Sequence, residues 1–353
     1  MNPYGFVRFG PAAQREPAVR HEQFKGLSGR VSCRLTALTH LFIPKTQEMR
    51  RREHQKLDLL RSTEGLPLLP GSSLKGVVRS VAEAISGSCL TLPLERRGEV
   101  EYRGRPPVSY RIPHGFEHCR DVNHLCPACR IFGSLSGDRS FLGKVGLSDA
   151  STMGQVEVEV LTIEALMEPK PRHQAWYEDP QQRGFMRGRK FYYHRPLGPR
   201  RTTIKNEYNK TVEAVKPGVL FEFDLDYTNL TEAELALLVF ALTLEPGMCY
   251  KVGMGKPVGL GSGRIEIVGW EQIDRQARYR QFGGGLTALE GDALGAEVAR
   301  WQGKYHQVYA NWKESLADLR RIWTWNPDST EDVKYPGQEW FRKNPTTAME
   351  QVP

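Results

Sequence analysis

Residues 219–244 read VLFEFDLDYTNLTEAELALLVFALTL, and they leave little freedom about the fold. Phe221, Phe223, Leu225 and Tyr227 alternate with Glu222, Asp224 and Asp226, the period of a strand with one buried face. Thr231 and Glu234 then stand three apart, a capping box that opens a helix whose Leu235, Leu238, Val239 and Leu242 form an apolar stripe. A one-faced strand feeding a capped helix must bury both faces in a shared core. The same order occurs earlier in the chain. Residues 30–38 (RVSCRLTAL) alternate Val31, Cys33, Leu35 and Ala37 with polar positions, and Leu74, Val77, Val78, Val81, Ala84 and Ile85 predict an amphipathic helix to about Ser86. Short strands are expected at Val145–Leu147 and Val156–Ile163, and a final one in RIEIVGW (264–270). The sum is an α+β fold, a modified ferredoxin-like (RRM-like) palm over 1–268 with long insertions at about 90–145 and 172–210. A C-terminal extension (269–353) adds a helix around 299–323 and a Trp/Pro-rich tail.

The formal charge is +8, and residues 172–210 hold nearly all the excess, with ten Lys/Arg against Glu178, Asp179 and Glu207. Seven aromatic residues are interleaved there: Trp176, Tyr177, Phe185, Phe191, Tyr192, Tyr193 and Tyr208. Cations follow phosphates while aromatic faces stack on bases, so this mixture suits RNA or single-stranded nucleic acid; the competing reading is a solvated basic loop with packing aromatics. Arg187, Arg189 and Lys190 are the candidate phosphate contacts, and Trp176 and Tyr192 the leading candidates for stacking. No apolar run spans a bilayer and the N-terminus has no secretory pattern, so a cytoplasmic protein without membrane contact is expected.

Three local motifs carry chemistry. PLLPGSSLKGVVR (67–79) contains the spacing Ser72-x-x-Lys75 of acyl-enzymes, but the Ser-Asp-Asn and Lys-Thr-Gly partners of those enzymes are absent from the chain. A capped helix start and a phosphate cradle remain, the cradle built from Gly71, Ser72, Ser73, Lys75 and Arg79. GMGKPVGLGSG (253–263) is neither a Walker A, because Pro257 follows Lys256, nor a dinucleotide fingerprint, because it precedes a strand. A tight turn with one cation, Lys256, is what remains. HGFEHCRDVNHLCPACRIFG (114–133) places Cys126 and Cys129 in a C-x₂-C knuckle with Cys119 nearby. With His118 or His114 as fourth ligand these residues make a closed structural zinc site.

Together these pieces resemble the RAMP (repeat-associated mysterious protein) superfamily of CRISPR-Cas systems, and within it the type III backbone subunits that line the guide RNA. The resemblance runs through LTALTHLFIP (35–44), LPLLPGSSLKGVVR (66–79), CPACRIFGS and GKVGLSDA (126–150), RGRKFYYH (187–194), FDLDYTNLTEAELALLVFAL (223–242) and KVGMGKPVGLGSG (251–263). It implies a palm whose glycine-rich loop and Pro-Gly-Ser-Ser element contact the guide-RNA backbone, and a thumb, assigned to 172–210, that splays the guide–target duplex. The implied partners are guide RNA (crRNA), target RNA and other effector subunits, with no small-molecule substrate. Nuclease members carry a metal-dependent aspartate about a dozen residues before the Pro-Gly-Ser-Ser element; here Gln55 stands near that place, flanked by Glu53, His54 and Asp58. The expectation is a subunit that binds RNA and cleaves weakly or not at all. If it does cleave, with Mg²⁺ or Mn²⁺, Asp58 leads and Glu53 and His54 follow. The alternatives are a stand-alone RAMP endoribonuclease that processes guide precursors, with His54 or His40 moving protons, and a generic RRM-like zinc-containing RNA binder.

Overall fold

The computed structural model describes residues 1–45, 53–90, 111–136, 139–166, 175–344 and 346–352. In chain order its strands are β1 (Tyr4–Val7), β2 (Leu27–Ala37), β3 (Gln55–Leu57), β4 (Leu68–Leu69), β5 (Gly133–Ser136), β6 (Arg139–Leu142), β7 (Val145–Leu147), β8 (Ala150–Ser151), β9 (Val158–Ile163), β10 (Arg189–Tyr192), β11 (Lys210–Val215), β12 (Leu220–Leu230), β13 (Tyr250–Lys251), β14 (Ser262–Ile273) and β15 (Leu286–Leu289). The helices are α1 (Gly71–Ala84), α2 (Pro127–Phe132), α3 (Glu232–Thr243), α4 (Arg275–Arg280), α5 (Gly291–Val308), α6 (Lys313–Trp323) and α7 (Gln338–Lys343).

The two alternating segments pair with each other. β2 lies between β12 and β14, antiparallel to both, in a sheet of order β13–β14–β2–β12–β8–β4, with β7 also on β12 and β15 also on β14. Val31, Cys33, Leu35, Phe221, Phe223, Leu225 and Tyr227 are buried on the inner face. Register then sets the outer face. Arg34 lies opposite Glu222, Ser32 opposite Asp224 and Arg30 opposite Asp226, with ion pairs of 2.8 Å for Arg34–Glu222 and 2.7 Å for Arg30–Asp226. A smaller sheet, β3–β11–β9, stands beside it, and β1 pairs with β10. The fold is thus α+β with antiparallel pairing throughout its named strands except β3, which lies parallel on β11.

The capping box of α3 forms as the sequence predicts, with the Thr231 side chain accepting from the Glu234 N–H and Glu234 reaching back to the Thr231 N–H. One expectation fails in part. Leu237, Phe240 and Ala241 are as buried as the predicted stripe, because α5 covers the far side of α3 and Phe240 stacks on Tyr305 with centroids 3.9 Å apart. The single helix expected at 299–323 is two, α5 and α6, separated by a 3₁₀ turn at Ala310–Trp312. The C-terminal extension is bound to the rest through α6 and α7. Asp318 of α6 holds Arg8 at 2.7 Å, and Phe341 packs on Trp176 at 4.9 Å. Among the described residues no helix is long and apolar enough to cross a membrane.

Tyr305 joins these two layers, and its hydroxyl also donates to the Ile85 carbonyl at 2.9 Å. Tyr305→Ala should lower the unfolding free energy by about 3 kcal/mol, the usual cost of emptying an aromatic core site. Urea denaturation checks this as a lower midpoint at unchanged slope.

Candidate metal centre and nucleic-acid groove

Four sulfurs converge behind the end of α1. Cys119 comes from the loop before α2, Cys126 is the N-cap of α2 and Cys129 lies within it. The fourth is Cys89, just beyond α1, and all four sulfurs lie within 4.8 Å of one another. The Cys89–Cys129 and Cys126–Cys89 separations are 3.5 and 3.6 Å. A tetrahedral ion with metal–sulfur bonds of 2.3 Å sets an edge of about 3.8 Å, so the arrangement fits a closed four-thiolate site. The histidine expected from the sequence is not in this cluster. His118 hydrogen-bonds the Leu135 carbonyl at 2.7 Å, and its ring lies against Cys89 at the margin of the four sulfurs; His114 is exposed.

Arg79 belongs to this centre. It pairs with Glu83 at 2.8 Å, donates to the Gly133 carbonyl at 3.0 Å and reaches the Cys129 sulfur at 3.6 Å. A guanidinium there offsets the negative charge of thiolates. Arg189 is likewise buried, paired with Glu83 at 3.0 Å and donating to the carbonyls of Ser88 and Cys89. Both residues, expected at phosphates, hold the cysteine segment in place.

The opposite face of α1 is open. The serines do not cap the helix: the N-cap is Pro70, and Asp149 of the β7–β8 turn accepts from the Gly71 N–H at 2.8 Å. Gly71 is required by a close approach to the chain itself, since a Cβ there would sit 2.2 Å from the Leu147 carbonyl oxygen. Lys75 turns the same way and donates to the Val145 carbonyl at 2.9 Å. The hydroxyls of Ser72 and Ser73 instead line a groove of about 610 Å³ with Gly76, Val77, Ser80, Lys210, Met254 and Lys256.

The glycine-rich loop forms the facing wall. Gly253 and Gly261 have φ near +80°, and a Cβ on Gly261 would meet the Val252 carbonyl oxygen at 1.9 Å, so only glycine fits. Lys251 clasps this loop from inside, donating to the Leu260 carbonyl at 2.7 Å. Burial pulls its ammonium down to about 7. The two cations of the groove are held by neutral oxygens: Lys256 donates to the Gly253 carbonyl at 2.7 Å and Lys210 to the Gln55 side chain at 2.6 Å. Neither has an ion-pair partner among the described residues, and burial lowers the pKa of both.

The remaining expected residues lie elsewhere. Trp176 is 2% exposed within an aromatic cluster of Tyr4, Phe6 and Phe341. Lys190 lies 3.8 Å over the Tyr4 ring and 4.8 Å over Tyr192, and Arg187 lies 5.3 Å over Phe6. Trp176, Arg187 and Lys190 of the basic aromatic segment are therefore packed against β1 and the C-terminal tail, whereas Lys205 and Tyr208 are exposed, and Arg172 falls outside the described residues, as do Arg50, Arg51 and Arg52. Glu53 and Asp58 are exposed. His54 is engaged by Asn209 and Thr211, both at 2.9 Å. None of Glu53, His54 and Asp58 lines the groove, whose described lining contains no carboxylate and no histidine.

An antiparallel α+β fold and a cation-lined groove between a serine-bearing helix and a glycine-rich turn are the setting for the comparisons. A model of the RAMP superfamily matches residues 34–266. The chain belongs to the RAMP superfamily. Among solved structures, that of Thermofilum pendens Csc2 aligns over 84% of this chain and 82% of its own, with 14% identity and a TM-score of 0.36. No curated protein matches.

The clasp makes a pH prediction. Lys251 is depressed from 10.5 to about 7, so between those values the unfolded chain binds the proton that the folded chain refuses. Stability should therefore rise with pH from 7 to 10 and be lowest in this respect below 7. Lys190, pulled down to about 8 by burial, acts in the same direction. Denaturation curves across this range should show a smaller rise for Lys251→Met than for wild type.

Proposed function

We propose that this chain is a guide-RNA-binding backbone subunit of a CRISPR-Cas ribonucleoprotein effector of type III, with a ferredoxin-like palm. The strand order β14–β2–β12–β8, with α1 and α3 inserted between its members, supports the palm reading. The observation that carries the functional reading is the groove itself. Two desolvated ammonium groups without carboxylate partners among the described residues create a site of positive potential, and a polyanion passing through it would supply the missing charge. Ser72 and Ser73 add hydroxyl donors, and Gly76 leaves room for a backbone to lie against the helix.

Two features separate this from the alternatives. An RRM-type binder stacks bases on aromatic residues of its open sheet face, whereas here that face carries Glu222, Asp224 and Asp226 and the aromatic residues point inward. The guide-processing alternative moves protons with His54 or His40 at the scissile phosphate, and neither lines the described groove. The subunit therefore binds and positions guide and target RNA alongside other effector subunits, and metal-dependent target cleavage would need carboxylates from beyond the described groove lining.

Gly76 gives the test of the groove. A Cβ there meets nothing within 4 Å, and replacing a mid-helix glycine stabilises a helix by up to about 1 kcal/mol. Gly76→Leu should fill the groove, leave the melting temperature equal or higher, and weaken guide-RNA binding at least tenfold in a filter-binding assay. Unchanged affinity would remove the groove from the account.

The four-cysteine centre is read as structural zinc, which would supply four metal–sulfur bonds and leave no open position for chemistry. A segment with little core of its own, residues 111–136, would be stapled to the end of α1 in this way. Elemental analysis should find one equivalent of zinc in wild type and in His114→Ala, and loss of zinc in Cys89→Ser. Retention of zinc by Cys89→Ser would contradict the ligand set.

A further inference from the structure

We propose that the α4 end of the large sheet is a second RNA-contact surface, which holds a single-stranded segment by stacking on Tyr279 and Phe282 between arginines. It rests on the reading of this chain as an RNA binder and adds a surface that the groove does not include.

Among the described residues the exposed aromatic side chains are Phe24 (58%), Tyr208 (66%), Tyr279 (89%) and Phe282 (108%), and three of the four lie on α4, the turn after it and the segment that Arg275 of α4 contacts. Phe24 is brought to α4 by Arg275, whose guanidinium lies 4.1 Å over its ring. The 20–26 turn that carries Phe24 is built by Asn229, whose side chain accepts from the N–H groups of Lys25 and Gly26 at 2.9 and 2.7 Å. Lys25, Arg278 and Arg280 are exposed on the same two segments, and none of them has an ion-pair partner among the described residues. Two of the four nearby acids are engaged. Asp274 caps α4 by accepting from the Ala277 N–H at 3.0 Å, and Asp226 is paired with Arg30; Glu22 and Glu271 are exposed at the edges.

Large aromatic rings interleaved with unpaired cations fit one occupant better than another. The core of a protein–protein interface is depleted in charge. Single-stranded nucleic acid offers a π-face to each ring and a phosphate to each cation. The surface is also remote from the groove. β2 begins at this end, where Ser28 pairs with Ile273, and it runs toward the glycine-rich loop, where the Gly261 N–H donates to the His40 carbonyl. Its 11 residues span about 35 Å at about 3.4 Å per residue. A nucleotide seated in the groove cannot reach α4, so this surface takes a different stretch of RNA.

The test uses the full chain and fluorescent single-stranded RNAs of about 10 and 40 nucleotides, read by anisotropy over a salt series. Tyr279→Ala/Phe282→Ala should weaken the longer RNA about tenfold or more, through loss of two stacked bases, and change the shorter one less than twofold. Arg278→Ser/Arg280→Ser should lower the salt slope for the longer RNA by about 1.4, two single-strand phosphate contacts at about 0.7 each. All four side chains are exposed, so melting temperatures should not move. Wild-type affinity and slope in both double variants would overturn the proposal. So would unchanged RNA binding with loss of self-association in sedimentation, which would mark a contact between copies. Gly76→Leu distinguishes the two readings: if it has no effect while the α4 variants do, the groove reading fails and this surface stands.

Discussion

Helix α1 is fixed at both ends, and the candidate site depends on that. At its start Gly71 lies so close to the β7–β8 turn that no side chain fits, and Asp149 takes its free N–H. Past its end Cys89 enters the four-sulfur cluster, while Arg79 and Glu83 tie the last turns to α2 and β10. Between these anchors Leu74, Val78, Val81 and Ala82 are buried without remainder. Only the strip through Ser72, Ser73, Gly76 and Ser80 is left for a ligand. Its position relative to the glycine-rich loop is set by packing, so the groove is formed before anything binds.

The second wall is fixed in a different way. The glycine-rich loop takes conformations open only to glycine at Gly253, Gly255, Gly259 and Gly261, and a buried lysine holds it from behind. An ammonium there is expensive to bury, which is why Lys251 titrates near 7. Lys251 and Lys256 stand close to the same loop, both lowered chiefly by burial, with Lys256 adding a smaller repulsion on Lys251, and neither has an ion-pair partner among the described residues, so positive charge there is in excess. Binding a phosphate chain would relieve that excess, so stability and RNA affinity should be linked.

Much of this was legible in the sequence where the signal was local. The alternation of β12, the Thr231–Glu234 capping box and the apolar face of α1 all formed as expected. Three of the four sulfurs were visible because they lie within eleven residues of one another; Cys89 was missed because it is 37 residues from Cys126 and sits in an undistinguished Ser-Gly-Ser-Cys stretch. The basic aromatic segment misled about its rings for the same reason. Trp176 looks free in the sequence and is buried by Phe341, from the far end of the chain. Conversely, RQARYRQF at 275–282 has no motif or periodicity that marks it in the sequence, although it carries exposed rings. Exposure is a tertiary property, and composition alone cannot assign it.

The central claim is that RNA lies between α1 and the glycine-rich loop. Photocrosslinking of the RNA that co-purifies with this chain, followed by mass spectrometry of the adducts, tests it most directly. The account predicts crosslinks within residues 71–80 and 253–258. Crosslinks confined to other parts of the chain, with none at either wall of the groove, would contradict it.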